Sequence, residues 1–402
     1  MSERTLPAPQ RAAGAALVTA YRVVSRAYFH LPVVAVFLLA QGYSVVAVAL
    51  LLALYGVVAA LADGPLAPVT RRLSSAGALV AGEAVKVVGL VLLVLSVDPV
   101  AVLLSQVLAG CGFALTAGRD AALASSLRGG GDARAQESGV QSGMFLASFT
   151  AGVLGAISLT VWDRLPFLLS AIVSTVALVL VLASRLPVRE QEARAATRSR
   201  ARPVGLPATI RFWSLYYSVN RALLLAAYTF LIPLLLFSEL RLSLPAFGAV
   251  LGLYTLAGLL AARLSPLVAG KPLVFWLTAS AQIVGLALMT FGVLGAAIAG
   301  LALLGIAGGF VRPATMITLA PAMDALDDRA RVAVMRGLER HQGILQAVLL
   351  VGAGIVVAAT GTTALTMTAY VVLAVIAQVV GAILILGPER RKRRLSTVSV
   401  TE

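Results

Sequence analysis

Cysteine and histidine are nearly missing from this chain of 402 residues, which has one cysteine, Cys111, and two histidines, His30 and His341. The cysteine lies inside an apolar run, so no disulfide or thiolate–metal framework can form. The histidines are far apart in sequence, which argues against a multi-histidine metal site, and no cofactor is expected. Charge is scarce too: 12% of residues are charged against 60% hydrophobic, with a mean hydropathy of +0.96. A soluble protein of this length needs far more polar surface, so the composition is that of an integral membrane protein. Enzyme signatures are also missing. There is no H-E-x-x-H, no G-x-S-x-G and no acidic metal-binding cluster. No G-x-x-x-x-G-K-[ST] loop is present to drive a self-contained ATP pump.

Acidic residues number 17 against 32 basic ones, a net charge of +15. Spread evenly, that excess would suggest nucleic acid as a partner. Here the basic residues sit in short clusters between apolar segments, where lysine and arginine mark the cytoplasmic side of a membrane. Runs of about 18 to 25 apolar residues place twelve spans at 22–43, 45–63, 73–96, 99–122, 137–160, 163–184, 213–238, 245–264, 272–292, 294–318, 337–359 and 364–387. Spans 1 and 2 meet at Gly42-Tyr43-Ser44, where glycine can end one helix and serine cap the next. With the N-terminus inside, only Arg164 and Arg241 fall in outer loops, so both termini are expected to be cytoplasmic. A polar start and Arg22 and Arg26 punctuate the first apolar run, so no cleavable leader is expected.

The fold expected is all-α, with two six-helix bundles at 1–184 and 212–388 and a basic cytoplasmic tail at 389–402. Between the bundles, 185–211 carries seven arginines, three prolines and two glutamates, and reads as a cytoplasmic linker near anionic headgroups. The halves echo one another. "FHLPVVAVFLLAQG" from Phe29 matches "FLIPLLLFSELRLS" from Phe230, with Pro32 and Pro233 in register. "VKVVGLVLL" from Val85 matches "AQIVGLALM" from Ala281, and "AGCGF" ending at Phe113 matches "IAGGF" ending at Phe310. The offsets stay between about 196 and 201 residues. Two parallel six-helix repeats can rock about a midplane site and expose it to one side at a time.

On these features the chain resembles the major facilitator superfamily over essentially its full length. That family carries a loop G-x-x-x-D-x-x-G-R-[KR] between spans 2 and 3, preceded in one bacterial branch by an acidic-x-Pro triplet. Asp63-Gly64-Pro65 looks like that triplet. Ala67 would then stand at the first glycine, Arg71 at the aspartate, and Ser74 and Ser75 at Gly-Arg. The family's R-x-x-x-G-x-G on span 4 corresponds to Gln106 through Gly112, with glutamine for arginine. The antiporter glycine-proline pattern on span 5 is reduced to "AGVLGA" at 151–156. The resemblance implies alternating-access transport of a small, lipophilic organic molecule. It also implies the cytoplasmic membrane, a monomer, and protons as the candidate coupling ion. In the branch resembled, rich in efflux proteins, the direction is export. An importer or facilitator of a small metabolite, or a transport-inactive sensor or scaffold, stays open as the alternative.

Charged groups inside spans must pair or face water, so each is a candidate. Glu83 and Lys86, three apart on span 3, share a face and can form a relay or a neutral structural pair. Arg312, in "GGFVRPATM" on span 10, can grip an anionic group or snorkel to the interface. Arg119 and Asp120, at the inner end of span 4, read as a gate latch or a binding site, and Asp63, Arg71 and Arg72 join the gating candidates. Glu339, Gln342 and Gln346 follow one face of span 11. On helices that line the cavity in the family, Tyr28, Gln106, Phe113, Gln141, Tyr228 and Tyr254 complete an amphipathic pocket with Gln346 and Arg312. Glycine pairs Gly139/Gly143 and Gly248/Gly252 have the spacing of close-packed membrane helices.

Overall fold

The computed structural model describes residues 8–70, 72–126, 133–184, 208–268, 272–324 and 328–383. Arg71, residues 185–207 of the expected linker, the tail 389–402 and the side chain of Asp63 lie outside the described residues. All described regular structure is helical. The helices are α1 (Ala8–Val24), α2 (Val34–Ala40), α3 (Val45–Leu61), α4 (Asp63–Thr70), α5 (Ser75–Leu95) and α6 (Pro99–Thr116). They continue with α7 (Arg119–Ser126), α8 (Ala133–Val161), α9 (Leu165–Ala183), α10 (Ala208–Ala226) and α11 (Leu244–Val268). The last four are α12 (Pro272–Met289), α13 (Leu294–Asp324), α14 (Asp328–Thr360) and α15 (Ala364–Gly381). Among the described residues nine helices are long and apolar enough to cross a bilayer, and shorter apolar helices fill the remaining crossings. Twelve crossings in two six-helix bundles result.

Local chemistry sets the boundaries. Gly42, at φ +88°, ends the first crossing in a conformation that costs an L-residue with a side chain. Ser44 then caps α3, its Oγ accepting from the Ala47 N–H at 3.2 Å. Ser74 caps α5 in the same way, and Asp98 caps α6 with Pro99 at the first helical position. The stretch after span 2 differs from the expected loop. Residues 63–70 are the helix α4, and the reversal is confined to a short turn around Arg72 and Leu73.

The first crossing corrects the expected single helix over 22–43. It begins at Ala8, and residues 25–33 are not helical. Pro32 has no N–H to give. The loosened backbone finds other partners: the Ser148 hydroxyl donates to the Arg26 carbonyl at 3.4 Å, and the His30 N–H donates to Ser170 Oγ at 3.1 Å. Room for this strand of backbone comes from Gly155 on α8, where a β-carbon would collide with the Phe29 carbonyl. The seventh crossing is irregular as well. Beyond α10 it runs through two π-helical turns, Ala227–Leu231 and Leu234–Glu239, on either side of Pro233.

The repeat read from sequence is repeated in packing. Gly89 on α5 lies against the Ser105 carbonyl of α6, a β-carbon there falling 3.1 Å from it. Its counterpart Gly285 on α12 lies against the Gly300 carbonyl of α13 at 2.9 Å. Small residues also join the halves. Gly56 and Gly343 bring α3 and α14 into backbone contact, while Gly248 and Gly252 on α11 receive Ala156 and Phe149 of α8. Gly143 packs on Val23, but Gly139, expected as its partner, faces open space. Gly155→Val should therefore lower the melting temperature of the purified protein, a cost of about 1–3 kcal/mol from overpacking. Gly139→Ala should leave it unchanged or higher.

Candidate functional site

A cavity of about 210 Å³ lies between the two halves, lined by both. From the first half come Tyr28, Phe113 and Gln141. From the second come Tyr228, Tyr254, Arg312 and Gln346. Of the pocket residues expected from sequence, Gln106 alone does not line it. That side chain is buried, but it sits two turns before Phe113 on α6, about 10 Å further along the helix axis.

The irregular backbone faces this cavity. Arg26 and Tyr28 enter it from the unwound part of the first crossing. Tyr228 and Thr229 enter from the first π turn of the seventh, a distortion that often marks functional positions. The Tyr228 and Tyr254 rings pack at 4.6 Å between centroids. Opposite them, the Arg26 guanidinium lies 5.7 Å from the centre of the Phe113 ring, within cation–π range. Further along the first and seventh crossings, residues 33–38 and 230–236 are completely or nearly buried.

Arg312 is 4% exposed, with its guanidinium 3.8 Å from Glu339 Oε1. The alternative of snorkelling to the interface is thereby excluded. Arg221 also reaches the cavity, over the Tyr217 ring at 5.9 Å. Gln141 and Gln342, each about 5% exposed, line it with carbonyl oxygens that no described residue hydrogen-bonds. The resulting surface is mostly aromatic and aliphatic, with guanidinium and amide groups at a few places. Such a surface can hold an organic molecule by its apolar body and fix its polar end.

Sequence reasoning missed Arg26, Arg221 and Tyr55 as cavity residues. The signal existed for the arginines: each is a charge within or beside an apolar crossing, as Arg312 is. Arg26 was read only as punctuation of an apolar run, within a span expected to be one continuous helix.

The gating candidates form a second layer beside α1, outside the cavity. Lys86 Nζ donates to Glu83 Oε1 at 2.8 Å, and the Tyr21 hydroxyl donates to the same oxygen at 3.0 Å. Asp120 pairs with Arg22 at 3.6 Å, and Arg119 donates to the Leu115 carbonyl of the preceding helix. So α1 presents successive residues, Tyr21 and Arg22, to carboxylates on the third and fourth crossings. Arg72 is exposed in its turn and joins neither pair. Glu83 is fully buried, so removing its cation alone leaves a charge with no adequate compensation. Lys86→Met should cost roughly 3–5 kcal/mol. The double change Glu83→Gln with Lys86→Met should recover much of that loss, and thermal melting of both variants measures the difference.

A membrane fold of two six-helix halves around a shared cavity is a transporter architecture. The sequence profile of the Major Facilitator Superfamily matches residues 23–335, and the chain belongs to that family. No curated protein is significantly similar to it in sequence. Among solved structures, a mutant of the nucleoside transporter NupG superposes with a TM-score of 0.71 at 12% identity, covering 94% of this chain and 100% of that one. The human organic anion transporter MFSD10 (TETRAN) gives 0.66 at 13% identity, covering 94% and 100%. A POT family transporter in complex with a thioalcohol-conjugated peptide gives 0.66 at 13%, covering 94% and 96%. At these identities the likeness shows the fold alone.

Proposed function

We propose that this protein is a secondary active transporter that exports a small lipophilic organic molecule across the cytoplasmic membrane by alternating access. The observation that carries the reading is the cavity between the halves, lined by side chains of both, with an aromatic wall and a few polar groups. Tyr28, Phe113, Gln141, Tyr228, Tyr254, Gln346 and Arg312 are the substrate contacts in this reading. Export follows the resemblance of Asp63-Gly64-Pro65 to the triplet of an efflux-rich bacterial branch. Residues 1–184 and 212–388 form the moving bundles, with 185–211 as linker, 389–402 as tail and both termini in the cytoplasm. The basic clusters support that orientation. The protein works as a monomer. Protons are the coupling ion, and the pairs that Glu83 and Asp120 make beside α1 are the contacts suited to gate the halves.

Untargeted mass spectrometry of cells and medium tests this directly. It compares a strain lacking the gene, the complemented strain, and one complemented with Arg312→Ala. Export predicts a solute that builds up inside the deletion strain and returns to the medium on complementation. Arg312→Ala should restore at most about a tenth of that flux at equal membrane abundance, the loss of a charge-assisted contact. A solute stranded outside the deletion strain would make the protein an importer, and no difference in any solute would end the transport reading.

A further inference from the structure

The charge of the cavity narrows the substrate beyond a lipophilic molecule. Among the described residues that line it, Arg26, Arg221 and Arg312 are cationic and Glu339 alone is acidic. Arginine does not deprotonate in proteins, so with Glu339 ionised the cavity has an excess of two positive charges. The described ionised groups beside the cavity are paired with one another. Glu83 is engaged with Lys86, and Asp120 with Arg22.

We propose that the substrate is an organic anion, an aromatic carboxylate or similar acid of one or two rings. The inference rests on the reading of the cavity as a substrate site. Three features support it besides the net charge. Guanidinium groups present a planar fork that matches a carboxylate in two hydrogen bonds, which a neutral molecule cannot use as well. Arg26 lies over Phe113 and Arg221 over Tyr217, so two of the cations rest on aromatic faces, and neither is within ion-pair distance of a carboxylate among the described residues. The volume, about 210 Å³, exceeds the ~150 Å³ that accommodates benzene and falls short of the ~300 Å³ typical of drug-sized ligands. An acid with one or two rings fits between those limits. Its ring lies against the Tyr228–Tyr254 pair, and its acid group meets the arginines. Glu339 competes with it for Arg312.

The test uses the purified full-length chain in lipid nanodiscs and three probes of matched shape: 2-naphthoate, 2-naphthylmethanol and 2-naphthylmethylamine. Naphthoate should raise the melting temperature with a saturable dependence on concentration, and the alcohol and the amine should not. Arg26→Gln and Arg221→Gln should each weaken naphthoate binding about tenfold or more, and Glu339→Gln should strengthen it severalfold. The comparison of probes on the unmodified chain holds even where a variant does not fold. Equal stabilisation by the alcohol, stronger stabilisation by the amine, or none by any probe overturns the proposal. Export of a neutral solute with no naphthoate binding would sink this inference and leave transport standing. Naphthoate binding with no solute difference between strains would do the reverse.

Discussion

Charge in a medium that solvates it poorly is the constraint on which this structure turns. An arginine at the centre of a single crossing costs about 2.5–3.5 kcal/mol on insertion, so the chain can keep such residues only where partners or a polar cavity receive them. Two solutions occur in two layers. Beside α1, Lys86 meets Glu83 and Arg22 meets Asp120, and within each pair the charge cancels. One layer deeper, at the cavity, three guanidiniums face one carboxylate. Pairs that cancel hold helices together; an excess that does not cancel is suited to receiving something from outside.

The backbone is shaped by the same need. A continuous helix through residues 25–33 would fix the side chains of the first crossing on regular faces. Unwinding it lets Arg26 and Tyr28 both enter the cavity from adjacent turns. The carbonyls and N–H groups released must find partners, since lipid offers none. Ser148 and Ser170 supply them, and Gly155 gives the segment room. The π turns of the seventh crossing do similar work across the cavity for Tyr228 and Thr229. Between the halves, Gly56 against Gly343 and Gly248 against Ala156 let the backbones approach closely.

Much of this was legible in the sequence. Apolar run lengths and the constant repeat offset sufficed for a twelve-span fold, because the bilayer permits few alternatives to helices. The pocket was legible where residues sat on regular helices, as with Gln141, Tyr254 and Gln346. It failed where regularity failed. A break at 25–33 does not show in an apolar pattern, so the place Arg26 takes at the cavity could not be read from a helical face. Gln106 shows the opposite error, a residue on a plausible face at the wrong depth, since periodicity fixes direction around a helix and says nothing of distance along it. The partner of a buried charge is likewise a tertiary fact: Glu83 and Lys86 were readable as a pair because they share a turn, whereas Arg22 with Asp120 required the fold.

The repeat also separates what builds the cavity from what gives it chemistry. Gln141 and Gln342 stand 201 residues apart, the offset of Pro32 and Pro233, and both line the cavity with unpartnered carbonyls. Tyr28 and Tyr228 lie at nearly the same offset and also both line it. No charged residue of the cavity has a charged cavity residue as its counterpart. At that offset Arg26 corresponds to Ala227, Arg221 to Ala20 and Glu339 to Ser138. A cavity with two-fold symmetric charge would hold a ligand equally well in two opposed poses. Here the symmetric residues frame a space between two similar halves, which is what alternating exposure requires. The charged residues differ in position between the halves, Arg26 in the first and Arg221, Arg312 and Glu339 in the second, so a polar molecule between them meets unlike groups on its two sides.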